Sequence, residues 1–167
     1  GYSDGSFVPD GEITRAEFAT ILSRMIDFNG NGGGSAAFTD VGNHWAKQDI
    51  AKLSGAGIVQ GYSNGSFLPN RGISREEAVI IISRLINLDA LDKVAANGSF
   101  NDLSEASAYA RNEVQKAAEV GIVQGKAEGI FDPRGTITRA EAVMLLMNVL
   151  KLHPEAKKLL ESLGLSQ

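Results

Sequence analysis

The sequence predicts a mainly α fold in which helix-loop-helix repeats share a central three-helix bundle. Three observations support this prediction: one phrase occurs three times, each copy has the pattern of a helix start, and unusually apolar segments follow it. A unit of about fifty residues cannot bury its apolar face alone, so the repeats are expected to pack on one another.

The repeated phrase begins at Gly1 as GYSDGSFVPDGEITRAEF, at Gly61 as GYSNGSFLPNRGISREEA and at Gly125 as GKAEGIFDPRGTITRAEA. The segment before the phrase repeats as well. It reads FTDVGNHWAKQDIAKLSGAGIVQG from Phe38 and FNDLSEASAYARNEVQKAAEVGIVQG from Phe100, with two extra residues in the later copy. The first copy of the phrase stands without this preceding half.

Each copy of the phrase has the pattern of a helix start. A hydroxyl residue is followed three positions later by glutamate, as in a capping box, and an isoleucine stands before it, where a hydrophobic staple belongs. The pairs are Thr14 with Glu17, Ser74 with Glu77, and Thr138 with Glu141. The segments AVIIISRLINL and AVMLLMNVLKL follow the later two caps, and their lack of a polar face predicts helices that are buried on most sides.

A first helix is predicted before the second and third copies. Trp45, Ile50 and Leu53 follow a helical period, and Gly55 or Gly57 suits the end of the helix. The stretch GIVQGYSNGSFLPN then reads as a loop with turn glycines and no independent sheet.

The tail carries a further helix signal, with Pro154 near a helix start and leucines at helical spacing behind it. One hypothesis is that this tail packs where the first helix of repeat 1 belongs; alternatively, that helix was cleaved off or is disordered. The predicted organisation is the second half of repeat 1 at 1–28, a Gly-rich linker at 29–37, repeat 2 at 38–88, a linker at 89–99, repeat 3 at 100–152 and an amphipathic helix at 153–167.

Composition excludes several classes of function. With 16 basic and 20 acidic residues the net charge is -4, and the basic residues are spread almost singly, so a nucleic-acid partner is not expected. The absence of cysteine excludes disulfides and thiol catalysis. The chain contains no apolar run of the roughly 18 to 20 residues that a membrane span needs, so membrane insertion is not expected.

The pattern F-x-D-V-x-x-H-W-A at Phe38 to Ala46, together with GIVQGYSNGSFLPN and the ITRAE phrase, resembles the S-layer homology repeat of bacterial surface proteins. The resemblance covers nearly the whole chain except the linkers and the last fifteen residues. It implies a pseudo-threefold helical domain outside the cell that has no cofactor and no catalytic residues. It also implies non-covalent anchoring to a cell-wall polysaccharide with pyruvylated amino-sugar ends, bound in grooves between neighbouring repeats.

The arginine after each cap is a candidate binding residue. Arg15, Arg75 and Arg139 stand in the first helical turn, where unpaired N–H groups and the helix dipole suit a carboxylate such as that of a pyruvyl ketal. A guanidinium adds bidentate recognition. On this hypothesis Arg75→Ala weakens polymer binding and leaves the melting temperature nearly unchanged; alternatively, these arginines only solvate the helix start.

A sugar ring also needs an aromatic platform and hydrogen-bonding partners. Trp45 with His44, Asp40 and Tyr62 is the best candidate for such a site, although Trp45 is equally well explained as a core residue. The glycines are either turn residues or sites of close sugar approach. The remaining candidates are Tyr2, Gly61 and Gly125.

The sequence raises three other functions, which are calcium binding by an EF-hand, glycoside hydrolysis and self-association. PDGEITRAEF looks like the second half of a calcium loop with Glu17 at position twelve, but this EF-hand register places Val8 at position three, where it cannot ligate calcium. A glycosidase needs two carboxylates across a cleft, whereas the repeated glutamates are engaged by caps. Self-association of a surface-layer protein remains the alternative function.

Overall fold

The computed structural model describes residues 5–25, 38–94 and 99–152. Over these ranges the helices are α1 (Arg15–Met25), α2 (Lys47–Gly55), α3 (Arg75–Leu85), α4 (Arg111–Glu119) and α5 (Arg139–Leu152), with 3-10 turns at Leu88–Ala90 and Leu103–Glu105. The bridges between extended residues in this part of the chain are isolated ones, so the predicted mainly α fold is confirmed. The predicted Gly-rich linker at 29–37 and the predicted helix at 153–167 lie outside the described residues.

The first helices α2 and α4 end in the same motif. After α2, the N–H of Ile58 donates to the carbonyl of Leu53 at 2.9 Å and that of Gly57 donates to Ser54 at 2.9 Å, which is a Schellman motif. Gly57 has a φ of +74°, a conformation that favours glycine. The predicted end is therefore confirmed, but the helix begins two residues after Trp45, which lies in the preceding turn.

The second helices α1, α3 and α5 all begin with the predicted capping box. In α3 the Ser74 hydroxyl accepts the N–H of Glu77 at 3.3 Å, and the Glu77 carboxylate accepts the N–H of Ser74 at 3.0 Å. The same reciprocal bonds join Thr14 with Glu17 and Thr138 with Glu141. These starts are thus fixed by local sequence.

The isoleucines before the caps form a closed ring of backbone hydrogen bonds. The N–H of Ile13 donates to the carbonyl of Ile137 at 3.1 Å, Ile137 donates to Ile73 at 3.1 Å, and Ile73 donates back to Ile13 at 3.0 Å. All three side chains are buried. The ring relates the three repeats by a pseudo-threefold axis and holds the starts of α1, α3 and α5 together.

Each first helix packs on the second helix of the preceding repeat, α2 on α1 and α4 on α3. The α3–α4 pair is parallel. Ser107, before α4, donates to buried Glu76 at the start of α3, and Lys116, late in α4, pairs with Asp89 beyond the end of α3 at 2.7 Å. A groove opens beside the α3–α4 pair.

Burial of the second helices follows the prediction for α3 but not for α5. Val79 and Ile80 of α3 are 2% and 8% exposed, whereas the equivalent Val143 and Met144 of α5 are 37% and 59% exposed. The expectation that α5 is buried on most sides is therefore wrong. The reason is that α3 has α4 against this side, while none of the described helices packs closely there on α5.

The loop before each second helix contains a residue in the left-handed region. Val8, Leu68 and Asp132 occupy equivalent positions with φ of 49°, 55° and 58°. This conformation costs L-residues roughly 1–2 kcal/mol. The preceding phenylalanine of repeats 2 and 3, Phe67 or Phe131, is buried and anchors the loop.

Candidate functional site

Arg15, the arginine after the first cap, is buried and is held by repeat 2. Its Nε donates to the carbonyl of Phe67 at 2.8 Å and its Nη2 donates to the carbonyl of Gln60 at 3.0 Å. Its Nη1 lies 3.2 Å from a carboxylate oxygen of Glu77. The guanidinium therefore fastens one repeat to the next.

The other two arginines repeat this arrangement around the ring. Arg75 donates to the carbonyl of Phe131 at 2.6 Å and pairs with Glu141 at 2.8 Å, while Arg139 pairs with Glu17 at 2.9 Å. Removal of a buried, paired guanidinium leaves its partners buried without a counter-charge. The expectation that Arg75→Ala leaves the melting temperature nearly unchanged is therefore replaced by an expected loss of stability.

The helix starts do not offer free N–H groups to a ligand. The N–H of Arg15 donates to the carbonyl of Arg71 at 2.9 Å, and that of Ala16 donates to the carbonyl of Pro69 at 2.9 Å. The equivalent donors of α3 and α5 are bonded in the same way to the loop of the next repeat. The prediction of an anion site at unpaired helix N–H groups is thus wrong, because carbonyls of the following repeat already accept those N–H groups.

Tyr62 belongs to a charged cluster above Arg15. The Glu77 carboxylate accepts the Tyr62 hydroxyl and the Arg71 guanidinium, and the Tyr62 ring lies 5.0 Å from the Arg15 guanidinium carbon. Burial alone raises the pKa of Glu77, but the bonds from Tyr62 and the Ser74 amide, with the charges of both arginines, hold that pKa below its usual range. Burial and the bond to Glu77 raise the pKa of Tyr62.

A groove of about 590 Å³ opens beside this cluster, and we call it the Tyr62 groove. Repeat 1 contributes Arg15 to its wall, repeat 2 contributes its loop and α3, and repeat 3 contributes the start of its first helix. The polar and aromatic residues that line it are Arg15, Gln60, Tyr62, Ser63, Glu77, Ser83, Arg84, Tyr109 and Glu113. Three repeats thus meet at one accessible surface.

An equivalent groove of about 180 Å³, the Gly125 groove, lies one repeat further on. It is lined by Arg75, Gln124, Gly125, Glu141, Met144 and Asn148, each the counterpart of a residue of the Tyr62 groove. Lys126 stands where repeat 2 has Tyr62, and it pairs with Asp132 at 2.8 Å. The Gly125 groove therefore has a different chemistry and, within the described residues, no first helix on its open side.

Asp40 organises the loop of repeat 2. Its two carboxylate oxygens accept the N–H groups of Phe67 and Leu68 at 2.8 Å each. Burial raises the pKa of Asp40, but these bonds and the charge of Arg15 lower that pKa by more, so the net shift is downward. Asp102 makes the equivalent bonds in repeat 3. Asp40 thus shapes the loop that carries Tyr62.

Trp45 and His44 lie together on the surface. His44 Nε2 is 3.0 Å from Asn70 Oδ1, while its Nδ1 accepts the N–H of Ala46, so Nε2 is the donor. Trp45 is 63% exposed and its ring lies 5.2 Å from the His44 ring, which rules out a core role. Trp45 is not among the residues lining the Tyr62 groove, so the structure does not bring it together with Tyr62 there.

Gly61 and Gly125 line the two grooves and have a packing reason to be glycine. A Cβ at Gly61 would lie 2.5 Å from both the Phe38 ring and the Ser66 carbonyl, and one at Gly125 would lie 2.5 Å from the Ile130 carbonyl. Tyr2 lies outside the described residues.

The sequence-based candidates omit Tyr109 and Arg84, which both line the Tyr62 groove. A signal for Tyr109 was present, because it aligns with Trp45 when repeat 3 is superposed on repeat 2. Arg84 gave no such signal, since it sits inside a segment whose apolar character dominates the pattern.

Residues 5–25, 38–94 and 99–152 contain neither a candidate metal site nor a membrane-spanning helix. No group of three or more His, Asp or Glu side chains that could hold a metal ion occurs in these ranges. The same ranges hold no helix with the length and apolar character to cross a bilayer. Glu17, the last ligand of the EF-hand register, is instead engaged by its cap and by Arg139.

The described chain is thus a module of interlocked helical repeats with grooves between repeats, and polar groups and two exposed tyrosines line the Tyr62 groove. A model of the S-layer homology domain matches residues 1–19, 37–79 and 99–143. The chain belongs to the S-layer homology domain family, as the sequence resemblance predicted. Domains of this family anchor proteins to the bacterial cell wall, and the predicted location at the cell surface is confirmed.

The curated relatives are far longer proteins. The chain is 30% identical over 165 residues to cell surface glycoprotein 1 of Acetivibrio thermocellus, covering 92% of the chain and 7% of that protein. It is 29% identical to a cellulosome-anchoring protein of the same organism, covering 92% of the chain and 35% of that protein. An S-layer protein of Bacillus thuringiensis subsp. finitimus is 29% identical, covering 87% of the chain and 18% of that protein.

Proposed function

We propose that this module anchors its parent protein by binding a wall polysaccharide with pyruvylated amino-sugar ends in the grooves between repeats. The observation that carries the proposal is the Tyr62 groove, about 590 Å³ in volume, in which two tyrosines and two arginines from three repeats converge. Aromatic faces pack on the apolar faces of sugar rings, and guanidinium groups bind carboxylates.

The exposure of the groove residues suits a polymer end rather than a buried small molecule. Tyr62 is 36% exposed and Tyr109 is 61% exposed, so both rings are accessible from solvent. Gln60, Ser63 and Glu113 add donors and acceptors for sugar hydroxyls. We assign this module an anchoring role and no catalytic residue.

Calorimetric titration with purified wall polysaccharide tests the proposal. We expect binding to the native polymer and at least a tenfold weaker binding after the pyruvyl ketals are removed by mild acid. Equal binding of both polymers would refute the role of the ketal, and no binding of either would refute wall anchoring through these grooves.

A matched pair of variants locates the site. Tyr109→Ala removes the exposed ring at the start of α4, whereas Val94→Ala removes an exposed apolar side chain beside the end of the same helix. We expect the first variant to weaken polymer binding and the second to leave it unchanged, with both keeping the wild-type melting temperature.

Self-association is a second candidate function, and one observation favours it. Val143, Met144 and Leu152 give α5 an exposed apolar face, with exposed fractions of 37%, 59% and 37%. Sedimentation equilibrium of the wild-type chain and of Met144→Glu tests this candidate. A monomer across the accessible concentration range would exclude it.

A further inference from the structure

Arg84 stands out among the cations of the Tyr62 groove because no carboxylate of the described residues pairs with it. Its Nη2 donates to the side-chain oxygen of Gln60 at 3.0 Å, a neutral partner, and the ion pairs of the described residues do not include it. Arg84 is exposed near the end of α3, on the wall of the groove. Its guanidinium is therefore accessible to a ligand.

Arg15 contrasts with Arg84 on each of these points. It is 5% exposed, it donates to two backbone carbonyls, and Glu77 lies 3.2 Å from it. A carboxylate that approached Arg15 would compete with bonds that hold two repeats together. Arg15 thus builds the floor of the groove, and its charge is already balanced.

The surroundings of Arg84 leave room for a negative ligand beside its guanidinium. Burial lowers the pKa of Arg84, and the positive charge of Arg15 lowers it further, while Tyr109 acts in the opposite direction. Two acidic residues line the groove. Glu77 is engaged by Arg15, Arg71 and Tyr62, and Glu113 lies 3.8 Å from Lys116 and accepts from Asn112 on its own helix. An anion beside Arg84 would favour the charged form of its guanidinium.

The Gly125 groove supplies a comparison within the same chain. The position equivalent to Arg84 is Asn148, whose amide donates to the carbonyl of Ile122 at 3.0 Å. The position equivalent to Tyr62 is Lys126, whose charge is taken by Asp132. The Gly125 groove thus lacks an accessible, unmatched cation among its lining residues.

From these contrasts we infer that Arg84 is the residue that receives the carboxylate of an acidic sugar, and that it makes the Tyr62 groove selective for acidic ends over neutral ones. This inference rests on the proposed function and assigns the charge recognition within it. The buried arginines after the caps then stabilise the packing of the repeats, and the sugar stacks on the rings of Tyr109 and Tyr62.

The test is an NMR titration of the full chain with an N-acetylhexosamine that carries a 4,6-linked pyruvyl ketal, and with the same sugar without the ketal. For the wild type we expect the ketal sugar to bind at least tenfold more tightly and to shift the backbone amides of Gly61 and Ser63. In Arg84→Asn, which copies the residue of the Gly125 groove, we expect this preference and these shifts to disappear. Arg84→Lys should retain part of the preference.

Arg134→Asn is the control, since Arg134 is an exposed arginine whose recorded bond is to the Glu105 carbonyl, and it should behave as wild type. All variants should keep the wild-type melting temperature. If Arg84→Asn kept the full preference for the ketal sugar and the same amide shifts, the inference would be overturned. Ketal-dependent shifts around Gly125 instead of Gly61 would also overturn it. The proposed function would survive either result. If the wild type bound neither sugar, the proposed function would fail together with the inference.

Discussion

The guanidinium of Arg139 lies 2.9 Å from the carboxylate of Glu17, although the two residues are 122 positions apart in the chain. This ion pair joins repeat 3 back to repeat 1, as Arg15 joins repeat 1 to repeat 2 and Arg75 joins repeat 2 to repeat 3. The carboxylate of each pair belongs to the capping box of the next second helix. One glutamate thus secures its own helix start and the contact between repeats.

Breaking the Arg139–Glu17 pair should cost much more stability than breaking an exposed pair of similar length. We expect Arg139→Ala to lower the free energy of unfolding by about 3–5 kcal/mol, because the Arg139 side chain is 6% exposed and its partners lose a buried charge. Urea denaturation measures this loss. Lys93→Ala removes a pair of 2.7 Å in which the lysine is 75% exposed, and it should cost less than about 1 kcal/mol. Equal losses would contradict the structural role of Arg139.

Gly61→Ala should destabilise the module by overpacking. The added methyl group would lie 2.5 Å from the Phe38 ring and from the Ser66 carbonyl, and the backbone has to move to relieve this contact. A loss of about 1–3 kcal/mol is expected. Gly42→Ala is the matched control, because nothing lies within 4 Å of a Cβ at Gly42. Thermal melting of both variants checks the prediction, and a wild-type melt of Gly61→Ala would contradict it.

Leu68→Asn should raise stability. Leu68 has a φ of 55° and is 39% exposed, so the substitution relieves strain while removing little buried surface. Asparagine tolerates the left-handed region better than other residues with a Cβ, and the expected gain is about 1 kcal/mol. Chemical denaturation measures it. The opposite change at the loop tip, Gly65→Ala at a φ of 80°, should destabilise, and a gain from it would contradict the strain argument.

Acid should weaken the module through Glu77 and Asp40. The pKa of each carboxylate is lowered in the fold, so its contribution to stability is complete above the unfolded value of roughly 4 and is lost as pH falls through the folded value. Glu77→Gln should therefore lower the free energy of unfolding at neutral pH and flatten its decline in acid. Urea titrations between about pH 6 and pH 2 measure both effects. A decline in Glu77→Gln as steep as in wild type would refute the assignment.

Local features of the fold were predictable from the sequence. The capping boxes and the glycine end at Gly57 depend on residues within one or two turns of each other, so their patterns are visible in the chain itself. The repeat boundaries at 1–28, 38–88 and 100–152 stay a prediction, as do the roles assigned to single site residues.

The role of the arginines was not predictable in the same way. The Arg15 guanidinium donates to the carbonyl of Phe67, which is 52 positions away. The loop whose carbonyls accept the first N–H groups of α1 is similarly distant in the chain. A pattern of neighbours cannot show that a helix start is capped by the next repeat. The charge contrast between Arg84 and Asn148 was likewise hidden, because it depends on which side of the helix faces the groove.

The three isoleucine hydrogen bonds also limit how such a module can grow. Each repeat gives one backbone bond and receives one, and the series is complete after Ile13, Ile73 and Ile137. A fourth repeat would find no free donor or acceptor unless an existing bond opened, whereas an open solenoid can be extended at either end. A protein of this kind that needs a firmer hold on its wall must therefore duplicate the whole module rather than lengthen it.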